Sequence, residues 1–457
     1  MNIATPDELH RLVKLAMDTG EAESVEHAQR IFAGYRIGVA VGPEIATSPT
    51  HQGALLTFLR LASRVFLGGV DVVMPGGAEV PRLIPGLADI NETIAACGAR
   101  RVSLLEAHVP AVCIGTVNVP HAASFAVRAV FSGWRAGVVP AHADAPFSFA
   151  AELTLSGALA AALAVDEAFL FVRQDTPEAG LREVGLSLWK PDAIDDWWKA
   201  ENDGPALRYL PSRLWLIGLG HLGQAYLWGL ALLPYAQPAE VELVLQDIDI
   251  ISASTLSTSI LSAPGMIGER KTRAMAPEME RRGFRSSIIE RRFDEAFRVQ
   301  ADEPQIALFG VDNALARRAL GDAGFRLAVE AGLGSGAKDF RAIRVHSFPS
   351  MKDPRDLWSS PAEKIVHVDA PAYADLKSRG LDQCGVTLLA GKAVGAPFVG
   401  MTAAALCLAE ILRLLHGGEV FAVHDVDLKS AMSRVSLPRS GEYASFNPGF
   451  AAVHSRT

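Results

Sequence analysis

The sequence predicts an α/β chain of two tandem Rossmann-like domains, the first degenerate and the second intact, with a cysteine-bearing crossover insertion in the second. Three observations predict it. An apolar strand at residues 213–217 runs into Gly218-Leu219-Gly220-His221-Leu222-Gly223 and then a helix, the order in which a nucleotide fold places its glycine turn. Pieces of the first half recur in the second. That recurrence is interrupted by about 50 extra residues, and long insertions on a rigid scaffold usually carry function.

The 457-residue length exceeds what one hydrophobic core usually organises, so two domains are expected. With 49% hydrophobic and 21% charged residues the chain has apolar surface for large cores and too little charge for disorder. A net charge of -8 argues against binding a phosphate backbone. Cys97, Cys113, Cys384 and Cys407 form no C-x-x-C pair, so neither a disulfide framework nor a zinc site is expected. The N-terminus lacks the basic and apolar regions of a signal peptide, so a cytoplasmic location is expected. Residues 214–239 carry no charge over a length that could span a bilayer. Gly218, Gly220, Gly223, His221 and Pro234 instead divide them into a strand, a turn and a buried helix.

In chain order, Thr5 and Glu8 read as a capping box around Pro6, opening a helix whose apolar face is Leu9, Leu12, Val13, Ala16 and Met17. A second helix is expected from Ser24 to Gly34, so that residues 1–34 form an N-terminal helical segment. Residues 36–41 open the first domain, 35–195. In the internal match, the strand at 109–115 answers 303–310, and a helix carrying Ala126-Val127-Arg128-Ala129 answers one carrying Ala316-Arg317-Arg318-Ala319. The Ala-rich helix from Gly157 answers that from Gly400. The polar stretch 190–208 reads as an exposed linker. The second domain comprises 205–336 and 397–437, the insertion 337–396, and a surface tail 438–457.

The candidate chemistry lies in the second half. Gly218, Gly220 and Gly223 permit a tight turn and close backbone approach to phosphate at a helix N-terminus, and Asp247, ending the strand at 241–245, can bind ribose hydroxyls. Glycines of this kind also serve helix-on-sheet packing alone. Lys271, opening a helix after Gly268-Glu269-Arg270, can neutralise triphosphate charge. Asp312, after an apolar strand, can hold Mg²⁺, although Lys271 can equally be a solvated helix residue and Asp312-Asn313 a helix cap.

The order of these residues resembles the ThiF and MoeB superfamily, which includes the eukaryotic ubiquitin-activating enzymes. The motifs are Gly218 to Gly223, Asp247-Ile248-Asp249, Gly268 to Lys271 and Asp312-Asn313. The resemblance implies ATP and Mg²⁺, with Asp247 on the ribose, Lys271 on the phosphates, Asp312 on magnesium, and Asp249 and Asn313 also in the nucleotide site. The superfamily usually continues S-N-L-x-R-Q. Here Ser254-Thr255-Leu256-Ser257-Thr258-Ser259 lacks the Asn and Arg, so Arg270, Arg273 or an arginine of the first half has to substitute. The first half reads Gly42-Pro43-Glu44-Ile45 in place of a glycine loop, with no D-N pair after Gly115. An inactive adenylation domain joined to an active one is the arrangement of the ubiquitin-activating enzymes.

Cys384, in Leu381-Asp382-Gln383-Cys384-Gly385-Val386, lies in the insertion where such enzymes place their thioester cysteine. The other cysteines read as small hydrophobes. The implied reaction is ATP-dependent adenylation of a ubiquitin-like protein's C-terminus, then a thioester on Cys384 and transfer to a conjugating enzyme. The absence of zinc cysteines resembles bacterial, antiphage ubiquitin-like conjugation systems. The internal pseudo-dimer implies a monomer or a homodimer. The rival readings are a ThiF- or MoeB-type sulfur-carrier adenylyltransferase, a nicotinamide-dependent oxidoreductase that leaves Lys271, Asp312 and Cys384 without work, and a non-catalytic scaffold for a ubiquitin-like protein.

Overall fold

A computed structural model describes residues 5, 7–76, 80–117, 123–143, 151–359, 368–439 and 446–454. Pro6 of the expected capping box, and parts of the insertion and tail, lie outside them. Thr5 N and Oγ1 both donate to the Glu8 carboxylate, at 3.0 and 2.9 Å, but regular helix begins only at α1, Lys14–Asp18. His10 gives the reason: its Nδ1 accepts from the Leu12 and Val13 N–H groups, a local alternative to the helical ladder. Helix α2, Val25–Ala33, starts where Ser24 caps the His27 N–H.

The first half contains β1 (Arg36–Val41), α3 (Pro49–Val65), β2 (Gly69–Val73), α4 (Ile90–Ala96), β3 (Arg100–Arg101), β4 (Ala111–Ile114), β5 (Ala126–Ser132), β6 (Arg135–Pro140), α5 (Thr154–Arg173) and β7 (Val184–Ser187). Its seven strands are ordered β3-β2-β1-β4-β5-β6-β7, parallel from β3 to β5 and antiparallel from β5 to β7. The second half continues with β8 (Tyr209–Pro211), β9 (Arg213–Ile217), α6 (His221–Leu232), β10 (Glu242–Gln246), α7 (Ala253–Leu256), α8 (Lys271–Glu280), β11 (Arg285–Ile289), β12 (Ile306–Phe309), α9 (Ala314–Ala323), β13 (Leu327–Leu333) and β14 (Ala342–Phe348). It ends with α10 (Pro354–Leu357), α11 (Pro371–Ser378), α12 (Gln383–Ala390), α13 (Pro397–Leu415), β15 (Phe421–Asp427), β16 (Val435–Pro438) and β17 (Phe450–Ala452). Its eight-stranded sheet, β11-β10-β9-β12-β13-β14-β15-β16, repeats the first sheet's order and adds one strand.

The topology corrects the internal match. Ala126 to Ala129 form the start of β5, whereas Ala316 to Ala319 lie on α9. By sheet position the counterpart of β5 is β13, since Ala111 pairs with Ala126 as Ile306 pairs with Leu327. Alternating Val127, Ala129 and Phe131 face the core, a two-residue period that a short apolar run does not separate from a helix. The added residues also begin later than 337, because β14 is the counterpart of β6 within the sheet.

The halves share one core. Helices α5 and α13, the long Ala-rich pair, pack against each other and against their own sheets. Both are long and apolar enough to cross a membrane, and both are 89% buried over that window. Phe169 and Phe398 meet across the joint at 5.9 Å between ring centroids, and truncating such a side chain to Ala costs about 3–5 kcal/mol. Trp228 Nε1 on α6 donates to Thr57 Oγ1 on α3 at 2.9 Å. Buried Arg341 pairs with Asp166 at 2.9 Å.

The stretch 190–208 is largely exposed or half-buried, as expected of a linker, but it is pinned to the fold at several points. Trp197 is 1% exposed, Trp134 Nε1 donates to Pro205 O at 2.8 Å, and Arg434 Nε donates to Pro191 O at 2.7 Å. Its tryptophans fill a space that its Asp content concealed. The tail returns to the fold, where β17 pairs antiparallel with β8.

Candidate active site

Strand β9 ends beside β10 and β12 in the middle of the second sheet, where the chain turns into α6. Gly218 has φ +86°, and a Cβ there would stand 2.9 Å from Gly310 O at the end of β12. A Cβ on Gly223 would stand 1.9 Å from Gly218 O, so α6 closes on its own loop only because that atom is missing. The Cβ position of Gly220 meets no backbone; its near neighbour is Lys271 Nζ at 3.7 Å.

Asp247, Asp249 and Lys271 come together at this loop. Asp247, its side chain 7% exposed, accepts from Leu219 N at 2.6 Å and Asp249 N at 2.7 Å, and so ties the glycine loop to the next strand end. Lys271, the first residue of α8, places Nζ 2.9 Å from Asp249 Oδ2 and 3.8 Å from Asp247 Oδ2. Asp312 is exposed beyond β12. Its loop is held by Arg317, whose Nε donates to Val311 O at 3.0 Å and lies 2.8 Å from the buried Glu330 carboxylate. His346 Nδ1 is 3.2 Å from the other oxygen of Glu330. Asn313 Oδ1 accepts from Leu315 and Ala316 N–H groups, so that oxygen serves as the cap of α9.

Arg270 and Arg273, both largely exposed, are turned toward Glu290. Arg273 Nε lies 2.8 Å from Glu290, and Arg270 donates to Ile248 O at 2.9 Å while lying 3.6 Å from Glu290. The N-terminal segment brings Arg11 as well. Its N–H donates to Ser257 Oγ at 3.1 Å and its Nη1 to Ala393 O at 3.3 Å. Burial pulls the Arg11 pKa below its ordinary value, opposed by the charges of Asp312 and Asp7. The missing side chain of Gly395 leaves room for Thr258, Arg11 and His221, whose nearest atoms stand 3.1, 3.8 and 3.9 Å from where its Cβ would be. His221 is half-buried with its Nε2 shut off from solvent, and burial pulls its pKa down to about 4. Its Nε2 would lie 2.4 Å from a Cβ at Gly400, which explains a glycine inside α13.

Sequence reasoning missed Arg11, His221 and the Arg317–Glu330–His346 group. For Arg11 a signal existed: a lone arginine between the apolar positions Leu9, Leu12 and Val13.

Cys384 is not part of this hydrogen-bonded cluster. It is exposed in the first turn of α12, where Asp382 caps the Gly385 N–H at 2.7 Å. Cys113 and Cys407 are buried, and burial pushes their thiols up to about 11 and 12. Cys97 is partly buried. The residues after α12 are fastened to the N-terminal segment by Lys392 to Asp7 at 3.2 Å as well as by Arg11.

The residues present fit a magnesium nucleotide. The open side of Gly220 flanked by the Lys271 ammonium suits phosphate. Among the described residues no group of three or more His, Cys, Asp and Glu side chains could hold a metal by itself. A lone carboxylate at Asp312 suits Mg²⁺, which takes one or two protein carboxylates and completes its shell with phosphate oxygens and water.

The first half uses the corresponding position differently. Gly42 and Gly115 follow β1 and β4 as Gly218 and Gly310 follow β9 and β12. Two residues after Gly42, where the second half has Gly220, Glu44 accepts from Thr116 N at 3.1 and 3.0 Å through its two oxygens. Burial opposes its ionisation, but the Thr116 hydrogen bonds outweigh burial and hold the Glu44 pKa below its ordinary value.

Fold and site together define a mixed α/β protein with two like-ordered, largely parallel sheets and a glycine loop at the middle of the second. Residues 36–188 match the model of the BilD N-terminal domain and residues 210–418 that of the BilD C-terminal domain. The chain is 44% identical over 416 residues to the bacterial E1-like protein BilD of Collimonas sp. (strain OK412), a match covering 90% of each chain. It belongs to the BilD family. Among solved structures, E. coli MccB with succinimide aligns at 14% identity over 50% of this chain and 65% of that one, with a TM-score of 0.32. MccB with ATP aligns at 12% identity over 71% and 98%, with a TM-score of 0.33. The E. coli tRNA N6-threonylcarbamoyladenosine dehydratase TcdA aligns at 14% identity over 45% and 86%, with a TM-score of 0.28. Scores this low carry no argument about the site.

Proposed function

We propose that this chain activates a ubiquitin-like protein: it adenylates that protein's C-terminal carboxylate with ATP at the second-half site, then carries it as a thioester on Cys384. The observation that carries the reading is the Lys271 ammonium at the glycine loop, 3.7 Å from the open Cβ position of Gly220 and 2.9 Å from Asp249, on a loop that Asp247 ties to the next strand end. A hydride-transfer enzyme has no need of a lysine aimed at phosphates. The E1-like name of the BilD relative supports the reading.

In this mechanism the glycine loop receives the triphosphate on its backbone N–H groups, and Asp247 keeps the loop in register with the ribose edge. Lys271 and Arg11 offset charge on the departing pyrophosphate. Asp312 would hold Mg²⁺, which when bound would supply Lewis-acid stabilisation of the phosphate oxygens. The partner's carboxylate oxygen attacks the α-phosphorus, the bond to the β-phosphate oxygen breaks, and pyrophosphate leaves. The Cys384 thiolate then attacks the acyl carbon, AMP departs with its electron pair, and a conjugating enzyme accepts the acyl group. The first half, 35–195, is a degenerate adenylation domain, and the insertion carrying Cys384 is the thioester-bearing crossover. The setting is a cytoplasmic antiphage conjugation system.

The test is ATP-to-pyrophosphate exchange with a candidate ubiquitin-like protein, with non-reducing gels of wild type, Cys384→Ala and Asp312→Ala. Exchange lost in Asp312→Ala but kept in Cys384→Ala, with a reducible adduct only when Cys384 is present, is expected. Exchange with no adduct would favour the sulfur-carrier adenylyltransferase. Nucleotide binding without exchange would favour the scaffold, whose support is the loss of the Asn and Arg after Asp249.

A further inference from the structure

Arg60 and Arg64 lie one turn apart on α3 in the first half, and their cross-half partners are backbone carbonyls. Arg60 Nη1 donates to Ile260 O at 3.3 Å, and Arg64 Nη2 donates to Ile260 O at 3.3 Å and Ser262 O at 2.8 Å. Arg64 Nη1 also donates to Arg60 O at 2.7 Å, which fixes the fork. The Arg60 guanidinium lies 4.7 Å from the ring centre of Trp228 on α6.

Helix α6 grips the same segment. Gln224 Oε1 accepts from Leu261 N at 3.1 Å, and Gln224 Nε2 donates to Ser262 Oγ at 2.8 Å and to Leu219 O of the glycine loop at 3.2 Å. Residues 260–262 are therefore clamped between a helix of the first half and the helix that begins at the loop. Just before the clamp stand Thr258, facing Gly395, and Ser257, whose Oγ accepts the Arg11 N–H. This is the stretch that lacks the superfamily's Asn and Arg.

A guanidinium drawn out of water onto neutral carbonyls is an expensive way to fill space, and an apolar side chain would pack there at lower cost. What arginine offers is a planar guanidinium whose Nη1 is fixed on Arg60 O while its Nη2 reaches two carbonyls two residues apart. We propose that Arg60 and Arg64 are positioning residues for nucleotide binding: through Ile260 and Ser262 they set the path of residues 257–262, and through Ser257 the place of Arg11. The nucleotide part of this inference rests on the adenylation reading; the clamp itself does not.

The test uses the full-length protein carrying Arg64→Met, Arg64→Lys or Arg60→Met, each alone and combined with Arg11→Ala. Arg64→Met should raise amide hydrogen exchange across 254–262 and weaken Mg-ATP binding about tenfold, the scale of one net hydrogen bond. Arg64→Lys keeps a charged donor for one carbonyl and should recover part of both effects. In the Arg11→Ala background the loss of affinity from Arg64→Met should largely vanish, because both act through one group. Unchanged exchange across 254–262 would overturn the inference whatever the activity. So would fully additive losses with Arg11→Ala, which would make Arg64 an ordinary contact between halves. Raised exchange in a protein whose wild type binds no ATP would support the clamp and sink the adenylation reading instead.

Discussion

Replacing Lys271 with Ala should weaken Mg-ATP binding strongly while leaving the fold nearly as stable as before. The ammonium's closest protein partner, Asp249, has a side chain 64% exposed, and an ion pair so open to solvent contributes at most about 1 kcal/mol. Asp247 is buried, but its two oxygens keep the Leu219 and Asp249 N–H groups when the amine is gone, so no buried carboxylate is stranded. The melting temperature should therefore fall by no more than about 2–4 °C. A charge-assisted hydrogen bond to phosphate is worth about 1.5–3 kcal/mol, which corresponds to a roughly 10- to 150-fold rise in Kd. Calorimetric titration with Mg-ATP and thermal melting of the same preparation separate the two quantities. Binding within about twofold of wild type would show that the Lys271 ammonium makes no phosphate contact, and a drop in Tm beyond about 10 °C would show that the amine is structural.

Three further outcomes are expected. Arg11→Ala should slow pyrophosphate exchange about 100-fold, the scale of one lost donor to developing charge, and Arg11→Lys should not restore it because the fork is lost; exchange kinetics measure this. Gly223→Ala should abolish nucleotide binding in titration, because its Cβ would overlap Gly218 O at 1.9 Å and push α6 off its own loop. Acid should destabilise the protein through His10 and His221, both lowered by burial to about 4 from an ordinary 6.5. The unfolded chain then takes up protons first, so stability is full above about pH 6.5 and falls by about 3 kcal/mol per histidine down to pH 4. His221→Gln should flatten the dependence of Tm on pH between 7.5 and 5.

What the sequence made legible was local: strand, glycine turn and helix at 213–232, the cap at Ser24, and Asp247 and Lys271 at the two strand and helix ends that meet the loop. Those features are fixed by residues within a few positions of one another. What it hid was set by distant contacts. The alternation at 126–131 becomes a strand because β4 lies ready to pair with it, and the Asp-rich 190–208 is anchored at Pro191, Trp197 and Pro205 by contacts with distant residues such as Trp134 and Arg434. Arg11 is separated from Ser257 by 246 positions, so an arginine beside that stretch could be sought by chemistry but not located by spacing.

The pair of halves poses one question that composition cannot answer: why the first sheet, with the same strand order, should not take a nucleotide too. The crossing glycines are present, since Gly42 and Gly115 stand where Gly218 and Gly310 stand. The difference lies two residues on. At Gly220 the second half leaves its loop open beneath an ammonium, whereas at Glu44 the first half supplies a carboxylate that takes the Thr116 N–H for itself. An ionised carboxylate at that point fills the space that Gly220 leaves open in the second half and repels a phosphate's charge. The first half thus carries its own anion, and its α3 arginines serve the other half's backbone. Titration of the wild type should accordingly give one Mg-ATP per chain, all of it lost in Gly223→Ala. Two equivalents, or one that survives Gly223→Ala, would mean that Glu44 moves aside and that the first half is a nucleotide site after all.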